Sequence, residues 1–131
     1  MSNDVHNHMA QAAYDAVAAI PQNSQKEFRS LARSFPSMLQ TNGLCAAIAF
    51  LSAKKDKDAH AKLYTFLSTW LKDTHSLTED LLEWILNLNN SDYRLCTDEV
   101  LNYCLWIKRF AEGMSSENDD QEKQSKQEPV E

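Results

Sequence analysis

The sequence predicts an all-α fold: a compact bundle of about six short-to-medium helices followed by a disordered acidic tail. Glycine and proline are scarce, with two glycines and three prolines among 131 residues. Helix-forming residues such as Ala, Leu, Glu, Lys and Gln are frequent, which favours helices over a sheet. Apolar residues make up 43% of the chain and charged residues 24%, the balance of a globular protein long enough to bury one core.

The first two predicted helices meet at a proline. Apolar residues recur at helical spacing over residues 4–20, which predicts the first helix. Pro21 ends it, because proline cannot continue a helix without losing a backbone hydrogen bond. Ser24 and Glu27 then match the capping-box pattern of a helix start. The second helix is expected to present one apolar face and one basic face.

Two helix breakers lie inside the most apolar stretch of the chain, residues 34–54. A residue that precedes proline avoids the helical conformation, so we expect the second helix to bend or restart at Pro36. Asn42 and Gly43 both tolerate positive φ and form a second expected break. A compact, Ala-rich helix follows over residues 44–53.

The polar segment 54–58 is a predicted hinge before the next helix. Asp58 is placed to cap that helix, whose apolar residues show the strongest helical period in the chain. Ser76 and Glu79 repeat the capping-box pattern before a short helix over about residues 81–86.

The last predicted helix begins at the cap residue Thr97 and ends at Gly113. The tail that follows, residues 115–131, contains no aromatic residue and Val130 as its one aliphatic residue. Such a segment cannot bury enough apolar surface to offset its ordering entropy, so we expect it to be disordered. The chain is therefore predicted to comprise a single helical domain over residues 1–114 and an acidic tail.

The formal net charge of −6 is concentrated in this tail. Residues 115–131 carry six acids and two lysines, a net charge of −4, which leaves −2 for the body of the chain. Because the body is nearly balanced, any surface that binds a polyanion must be a local patch.

The chain shows no feature of an exported or membrane protein. Its N-terminus lacks the basic and apolar regions of a signal peptide, and no apolar run approaches the roughly 20 residues of a membrane span. The cysteines are odd in number and lie in helical patterns, so we expect reduced, buried thiols at Cys45, Cys96 and Cys104. These features predict a cytoplasmic protein.

No metal, cofactor or catalytic motif stands out. His6 and His8 lie two residues apart at a fraying terminus, where metal binding would be weak, and His60 and His75 have no cysteine or carboxylate partner at ligand spacing. Cys45 lies in an apolar environment that would raise the pKa of its thiol, opposite to what a nucleophile needs. Glu79, Asp80 and Glu83 are explained by the dipole at a helix N-terminus. We therefore expect no enzyme activity, no metal and no cofactor.

The three tryptophans could in principle stack on nucleic-acid bases. Trp70 and Trp106 lie in strongly apolar helical windows, so we expect both in the core. Trp84 is off the apolar seam of its short helix, and partial exposure at an interface is expected there.

The basic residues fall into groups near helix ends and bends. One group, at i, i+3 and i+7 of the second helix, forms a stripe. For any single residue, a solvated surface charge is the simpler interpretation. Their grouped placement instead favours a surface that contacts phosphates without reading bases. The groups are Lys26/Arg29/Arg33, Lys54/Lys55/Lys57, Arg94 and Lys108/Arg109.

Three stretches carry a family resemblance: "SFPSMLQTNGLCAAIAFLSAK", "LYTFLSTWL" and "YRLCTDEVLNYCLWIKRFAEG". They resemble the small helical subunit of type III-B CRISPR effector complexes, the family of the fifth Cmr protein. The agreement spans about residues 24–113, in order and at matching spacing. The matched positions are Pro36, Met38, Leu39, Asn42, Gly43, Leu44, Ala49, Phe50, Leu51, Lys54, Tyr93, Arg94, Thr97, Glu99, Trp106, Ile107, Lys108, Arg109, Phe110 and Ala111.

The resemblance implies a non-catalytic structural subunit that serves antiviral defence. Members of this family stack in several copies beside the backbone subunits that hold the guide RNA, and they help to bind target RNA. RNA cleavage and nucleotide cyclisation belong to other subunits. The expected partners are thus other effector subunits, copies of this chain, and the backbones of guide and target RNA.

The resemblance places the RNA-facing or subunit-facing role on Lys54, Arg94, Lys108 and Arg109. The basic groups alone add Lys26, Arg29, Arg33 and Lys55. Some of these residues could instead support the fold through ion pairs with Asp98, Glu99 or Glu112.

Two other functions remain open at this point. The first is a helical adaptor that binds a partner protein and has no role with nucleic acid. It differs from an RNA-binding subunit because phosphate contacts make affinity steeply salt-dependent. The second is a small enzyme, which is disfavoured because no nucleophile, base or metal set assembles in the sequence.

Overall fold

The computed structural model of this chain describes the backbone of residues 2–127 and the side chains of residues 7–114. The regular structure of this part of the chain consists of six helices, which confirms the predicted all-α fold. In chain order they are α1 (Ser2–Ala18), α2 (Gln22–Asn42), α3 (Leu44–Ala53), α4 (Asp58–His75), α5 (Leu81–Leu86) and α6 (Asn90–Gln127).

The long helix α6 is the centre of the packing. It lies against α2 and α1, while α4 lies against α2 and α3, and α5 lies against α3. Arg33 contacts Glu112, and Cys45 contacts Tyr93, so the chain from α2 into α3 runs antiparallel to α6. Each large apolar side chain that this arrangement buries contributes roughly 1.5–3 kcal/mol. The largest fully buried side chains are Phe28, Phe35, Leu39, Leu44, Ile48, Leu51, Leu63, Leu67, Leu71, Leu81, Ile85 and Ile107.

The helix restart expected at Pro36 does not occur, because α2 continues through this residue to Asn42, and the bend expected there stays a prediction. A proline inside a helix lacks one hydrogen-bond donor and costs about 3 kcal/mol or more. Phe35 and Leu39, on the same helix, are 0% and 1% exposed, and burying two such side chains offsets that cost. The packing of α2 therefore overrides the local preference of the proline.

The break expected at Asn42 and Gly43 is confirmed. α2 ends at Asn42, α3 begins at Leu44, and Gly43 between them has φ of 92° and ψ of 165°. A side chain at this φ would be strained, which explains the glycine. A Cβ at this position would lie 3.7 Å from Tyr93 Oη, an ordinary contact, so the backbone angle and not the available space requires glycine.

Two of the predicted helix caps are wrong because neighbouring residues begin the helices. α2 begins at Gln22, directly after Pro21, and has no side-chain cap. α4 begins at Asp58 itself, after Lys57, and the Asp58 carboxylate accepts a hydrogen bond from Lys62 in the next turn. The capping box predicted at Ser24 and the capping role predicted for Asp58 are thus not observed.

The two caps predicted in the second half of the chain, at Ser76 and Thr97, are also wrong. Ser76 is the left-handed C-cap of α4, and Asp80 precedes α5, so Ser76 does not begin a helix. α6 begins at Asn90, where the Asn89 side chain accepts a hydrogen bond from the Asp92 N–H at 2.8 Å. The predicted start at Thr97 is wrong because this asparagine caps the helix two turns earlier.

The predicted helix end at Gly113 is also wrong, since α6 continues through it to Gln127. Residues 128–131 of the acidic tail lie outside the described residues, and only the backbone of residues 115–127 is described. Disorder of the tail and the division of the chain at residue 114 therefore stay predictions.

Two of the three thiols are buried as expected. Cys96 and Cys104 are 4% and 2% exposed, while Cys45 is half-buried, and all three are free. Burial raises the pKa of the Cys96 thiol to about 12, with a smaller contribution from the charge of Glu99. Within the described residues, no helix is both long and apolar enough to cross a lipid bilayer.

Candidate nucleic-acid interface

The eight predicted interface residues are distributed over three parts of the fold. Lys54 and Lys55 occupy the connection between α3 and α4, whereas the others lie on α2 and α6. We call the residues Lys54, Lys55, Lys57 and His60 the α3–α4 cluster. The structure therefore does not bring all of the predicted cations into a single patch.

Two lysines of the α3–α4 cluster lie over aromatic rings. Lys54 follows the last residue of α3, and its Nζ is 4.8 Å from the centroid of the Phe50 ring. Lys55 Nζ is 4.1 Å from the centroid of the Tyr64 ring. Such contacts hold a cation in place without neutralising it, because an aromatic ring carries no net charge. Both lysines thus remain positive at the surface.

The ring beneath Lys55 is itself held by a hydrogen bond. Tyr64 Oη donates to Asp80 Oδ1 at 2.8 Å, which ties α4 to the start of α5. Burial, together with this bond, raises the pKa of Tyr64 to about 12. Tyr64 therefore stays neutral at physiological pH and gives Lys55 a fixed apolar support.

His60 lies within reach of the positive charges of Lys54 and Lys57. Burial lowers the pKa of His60 below its usual range, and the charges of Lys54 and Lys57 lower it further, while Asp56 opposes them. Its Nδ1 atom is buried and has no hydrogen-bond partner within the described residues, which also disfavours the protonated ring. The lysines therefore create a local positive potential despite the acidic composition of the chain.

The basic stripe predicted on α2 is discontinuous. Lys26 and Arg33 are exposed, but Arg29 is 6% exposed and lies in the core. Arg33 Nε lies 3.3 Å from Glu112 Oε1, and this ion pair joins α2 to α6. Its charge is therefore partly compensated, as the sequence interpretation left open. The burial of Arg29 corrects the expectation of one exposed face.

On α6, the predicted cations are spread along the helix. Arg94 is exposed near the start of α6, next to Tyr93. Lys108 is half-buried, and Arg109 is exposed with its guanidinium carbon 5.3 Å from the centroid of the Trp106 ring. Arg94 is thus separated by about four helical turns from Lys108 and Arg109.

Trp106 is not a core residue, which corrects the sequence prediction. It is half-buried, and its ring stacks on Phe110 with centroids 5.7 Å apart. Tyr14 of α1 meets Phe110 edge-on at 5.5 Å. Tyr14 was not among the predicted site residues, because it lies on α1, far from the other two rings in the sequence. The i, i+4 spacing of Trp106 and Phe110 does indicate that their rings share one face of α6.

The other two tryptophans agree with their predictions. Trp70 is 5% exposed, and Trp84 is half-buried against His75. Trp70 Nε1 donates to Glu99 Oε2 at 2.7 Å, and His75 Nε2 lies 2.8 Å from Glu99 Oε1. Glu99 therefore joins α4 to α6 as an internal acceptor, and none of the predicted cations pairs with it within residues 7–114.

Comparison with known proteins identifies the family. The family model described as CRISPR-associated protein (Cas_Cmr5) matches residues 5–114. The chain belongs to the Cmr5 family. Its matched region begins within α1 and ends directly before the acidic tail. The family resemblance drawn from the sequence motifs is thereby confirmed.

A curated relative and a solved structure agree with this assignment. The chain is 33% identical over 111 residues to the CRISPR system Cmr subunit Cmr5 of Thermus thermophilus, covering 82% of this chain and 93% of the relative. It is also similar to the crystal structure of a CRISPR-associated Cmr5 family protein from the same organism. That similarity has a TM-score of 0.71 and 31% identity, and it covers 82% of this chain and 95% of the other.

Proposed function

We propose that this Cmr5-family chain is the non-catalytic small subunit of a type III-B CRISPR effector complex in the cytoplasm. Copies of it stack along the assembly that holds the guide RNA, and they help to bind target RNA for antiviral defence. Its partners are the other Cmr subunits, further copies of itself, and the backbones of guide and target RNA.

One observation supports the RNA-binding part of this proposal: three of the predicted cations lie over aromatic rings. Lys54, Lys55 and Arg109 lie over Phe50, Tyr64 and Trp106, respectively. Within residues 7–114, none of the three forms an ion pair with a carboxylate. Within the described side chains their charges are thus oriented and not paired with a carboxylate, which suits contacts to RNA phosphates.

The remaining predicted cations contribute less in this proposal. Arg33 is paired with Glu112, and the burial of Arg29 keeps it from a phosphate. Lys26 and Arg94 are exposed and can face either RNA or a neighbouring subunit. Lys108 lies one turn before Glu112, so it shares the face of α6 that α2 partly covers.

A protein-binding adaptor without an RNA role is the second candidate. Leu86 and Leu95 are 64% and 68% exposed, and each offers apolar surface that a protein partner can cover. In the effector complex each leucine could be covered by a neighbouring subunit instead, so their exposure fits both candidates.

The first experiment is purification of the tagged chain from its native cells, followed by sequencing of the RNA that co-purifies. Recovery of other Cmr subunits with short CRISPR guide RNAs is expected. Recovery of the chain alone, or with an unrelated protein and no RNA, contradicts the proposal and favours the adaptor. The purified chain by itself is expected not to cleave RNA, since the proposal gives it no catalytic role.

A charge-variant experiment then tests the phosphate contacts in the reconstituted complex. The double variant Lys54→Gln/Lys55→Gln is expected to lower the slope of log affinity against log salt for target RNA by about 1.4, which corresponds to two lost contacts to a single strand. The matched control is Lys62→Gln/Lys72→Gln on α4, which removes the same charge. A salt slope of Lys54→Gln/Lys55→Gln equal to that of the wild type would exclude Lys54 and Lys55 from the interface.

A further inference from the structure

A row of aromatic rings joins α1 to α6 and ends at an exposed arginine. Tyr14 meets Phe110 edge-on, with ring centroids 5.5 Å apart. Phe110 stacks on Trp106 at 5.7 Å with an interplanar angle of 18°. The Arg109 guanidinium carbon lies 5.3 Å from the centroid of the Trp106 ring. We call these four residues the aromatic platform.

The rings of the platform are partly exposed at the surface. Tyr14 is 47% exposed, and Trp106 and Phe110 are half-buried. The core beneath them is closed by Ile107 and Ala111, which are 0% and 1% exposed. The outer aromatic rings therefore present apolar surface to the solvent in addition to covering the core.

The Arg109 end of the platform favours a negatively charged partner. Arg109 is exposed at one end, and within residues 7–114 it forms no ion pair. The acidic residues nearest to the platform rings in the sequence are Asp15 and Glu112. Glu112 is paired with Arg33. Asp15 lines the separate groove between α1 and α4, and its carboxylate accepts a hydrogen bond from Gln11.

We propose that the aromatic platform stacks unpaired bases of an RNA strand, while Arg109 contacts an adjacent phosphate. This inference rests on the proposed RNA-binding function and adds a base-contacting site to its phosphate contacts. Exposed rings beside cations are the arrangement by which proteins bind single strands, since every base has a face that can stack. The site would therefore bind RNA with little sequence preference.

The test compares two ligands with the full-length protein. One is a single-stranded oligoribonucleotide, and the other is an abasic oligomer of the same length and charge. Tyr14→Ala is expected to weaken binding of the base-bearing strand about 5-fold or more without changing the salt slope, since stacking contributes about 1–3 kcal/mol per base. The same variant is expected to leave binding of the abasic oligomer unchanged.

Control variants separate stacking from folding and from charge. Tyr14→Phe keeps the ring and is expected to bind both ligands like the wild type. Arg109→Gln is expected to lower both the affinity and the salt slope, as loss of a phosphate contact does. Trp106→Leu provides a second loss of ring surface should Tyr14→Ala perturb α1, and circular dichroism checks the fold of each variant.

The outcomes distinguish this proposal from the general RNA-binding role. Equal affinity of the wild type for both ligands, with a steep salt slope, would overturn the platform and leave the phosphate contacts in place. Absence of salt-dependent binding to either ligand would contradict both. If Tyr14→Ala releases another Cmr subunit and leaves RNA binding unchanged, the platform is a protein interface and the proposal is wrong.

Discussion

The hydroxyl of Tyr93 on α6 lies 2.9 Å from the backbone nitrogen of Cys45 and accepts its hydrogen bond. Cys45 is the second residue of α3, where backbone N–H groups have no partner within the helix. A side chain 48 positions away in the sequence thus caps α3 and fixes the corner at Gly43 against α6. Tyr93 is one of the matched family positions, and this contact gives it a structural role.

Tyr93→Phe is expected to lower the free energy of unfolding by about 0.5–2 kcal/mol, because the Cys45 N–H loses its acceptor. Urea denaturation followed by circular dichroism measures this change. Tyr14→Phe removes a hydroxyl from an exposed tyrosine and serves as the control, with an expected change near zero. Equal stabilities of the two variants would mean that the Tyr93 bond contributes nothing to stability.

The two glycines of the chain are expected to respond in opposite directions to alanine. Gly43→Ala places a side chain at φ of 92° and should destabilise the protein by about 1–3 kcal/mol. Gly113 lies inside α6, and a Cβ there meets nothing within 4 Å. Gly113→Ala should therefore stabilise the helix by about 0.5–1 kcal/mol. Urea midpoints measured side by side test the pair, and a tolerated Gly43→Ala would refute the backbone argument.

Glu99 is expected to be important for folding. Glu99→Ala removes the acceptor of the buried Trp70 N–H and should cost about 1–3 kcal/mol in the free energy of unfolding. Asp98→Ala, which removes an exposed carboxylate at the neighbouring position, is the matched control and should change stability by less than about 0.5 kcal/mol. Thermal unfolding followed by circular dichroism measures the difference. Similar melting temperatures for the two variants would contradict an anchoring role.

The positive potential of the α3–α4 cluster can be measured through His60. Removing the charges with Lys54→Ala/Lys57→Ala is expected to raise the pKa of His60 toward its ordinary value of 6.5, though not fully, since burial is the larger cause. NMR titration of the imidazole protons gives this pKa directly. A pKa that does not change in the double variant would show that the lysines do not act on His60.

The lowered pKa of His60 also sets a pH dependence of stability. Above about pH 6.5 the ring is neutral in both the folded and the unfolded chain, so it has no effect. As the pH falls, the unfolded chain binds the proton first, and the folded state loses stability until its own pKa is passed. His60→Gln should remove this component, and urea denaturation at several pH values between about 4 and 8 detects it.

The thiols are expected to differ in reactivity. Burial raises the pKa of Cys96 to about 12 and that of Cys104 further, so neither forms a thiolate in the native protein near neutral pH. Alkylation at about pH 8, near the ordinary thiol pKa, followed by mass spectrometry should leave both unlabelled until denaturant is added, whereas the half-buried Cys45 is accessible. Rapid labelling of Cys104 in the folded chain would contradict its burial in the core.

Helix number and class follow from local properties that a single sequence displays. The scarcity of glycine and the helical spacing of apolar residues predict six helices, and Gly43 marks one boundary correctly because its φ is a property of a single residue. The boundaries at Pro36 and Thr97 were predicted wrongly. At Pro36, the core burial of Phe35 and Leu39 outweighs the local preference of the proline. At Thr97, the Asn89 cap begins α6 before the threonine is reached.

The distribution of the basic residues could not be predicted in the same way. A spacing of i, i+3 and i+7 places Lys26, Arg29 and Arg33 along one helix, but it does not say how much of that helix the neighbouring helices cover. The packing of α2 in the bundle buries Arg29 and leaves Lys26 and Arg33 exposed.

Composition, helical periodicity and family motifs were thus sufficient for the fold class and the Cmr5 assignment, because each is a property of residues close together in the chain. The exposure of each cation, the row of rings from Tyr14 to Trp106, and the bond between Tyr93 and Cys45 depend on helices that are distant in sequence. These features follow from how apolar faces pack against one another, and packing is a collective property that no single segment specifies.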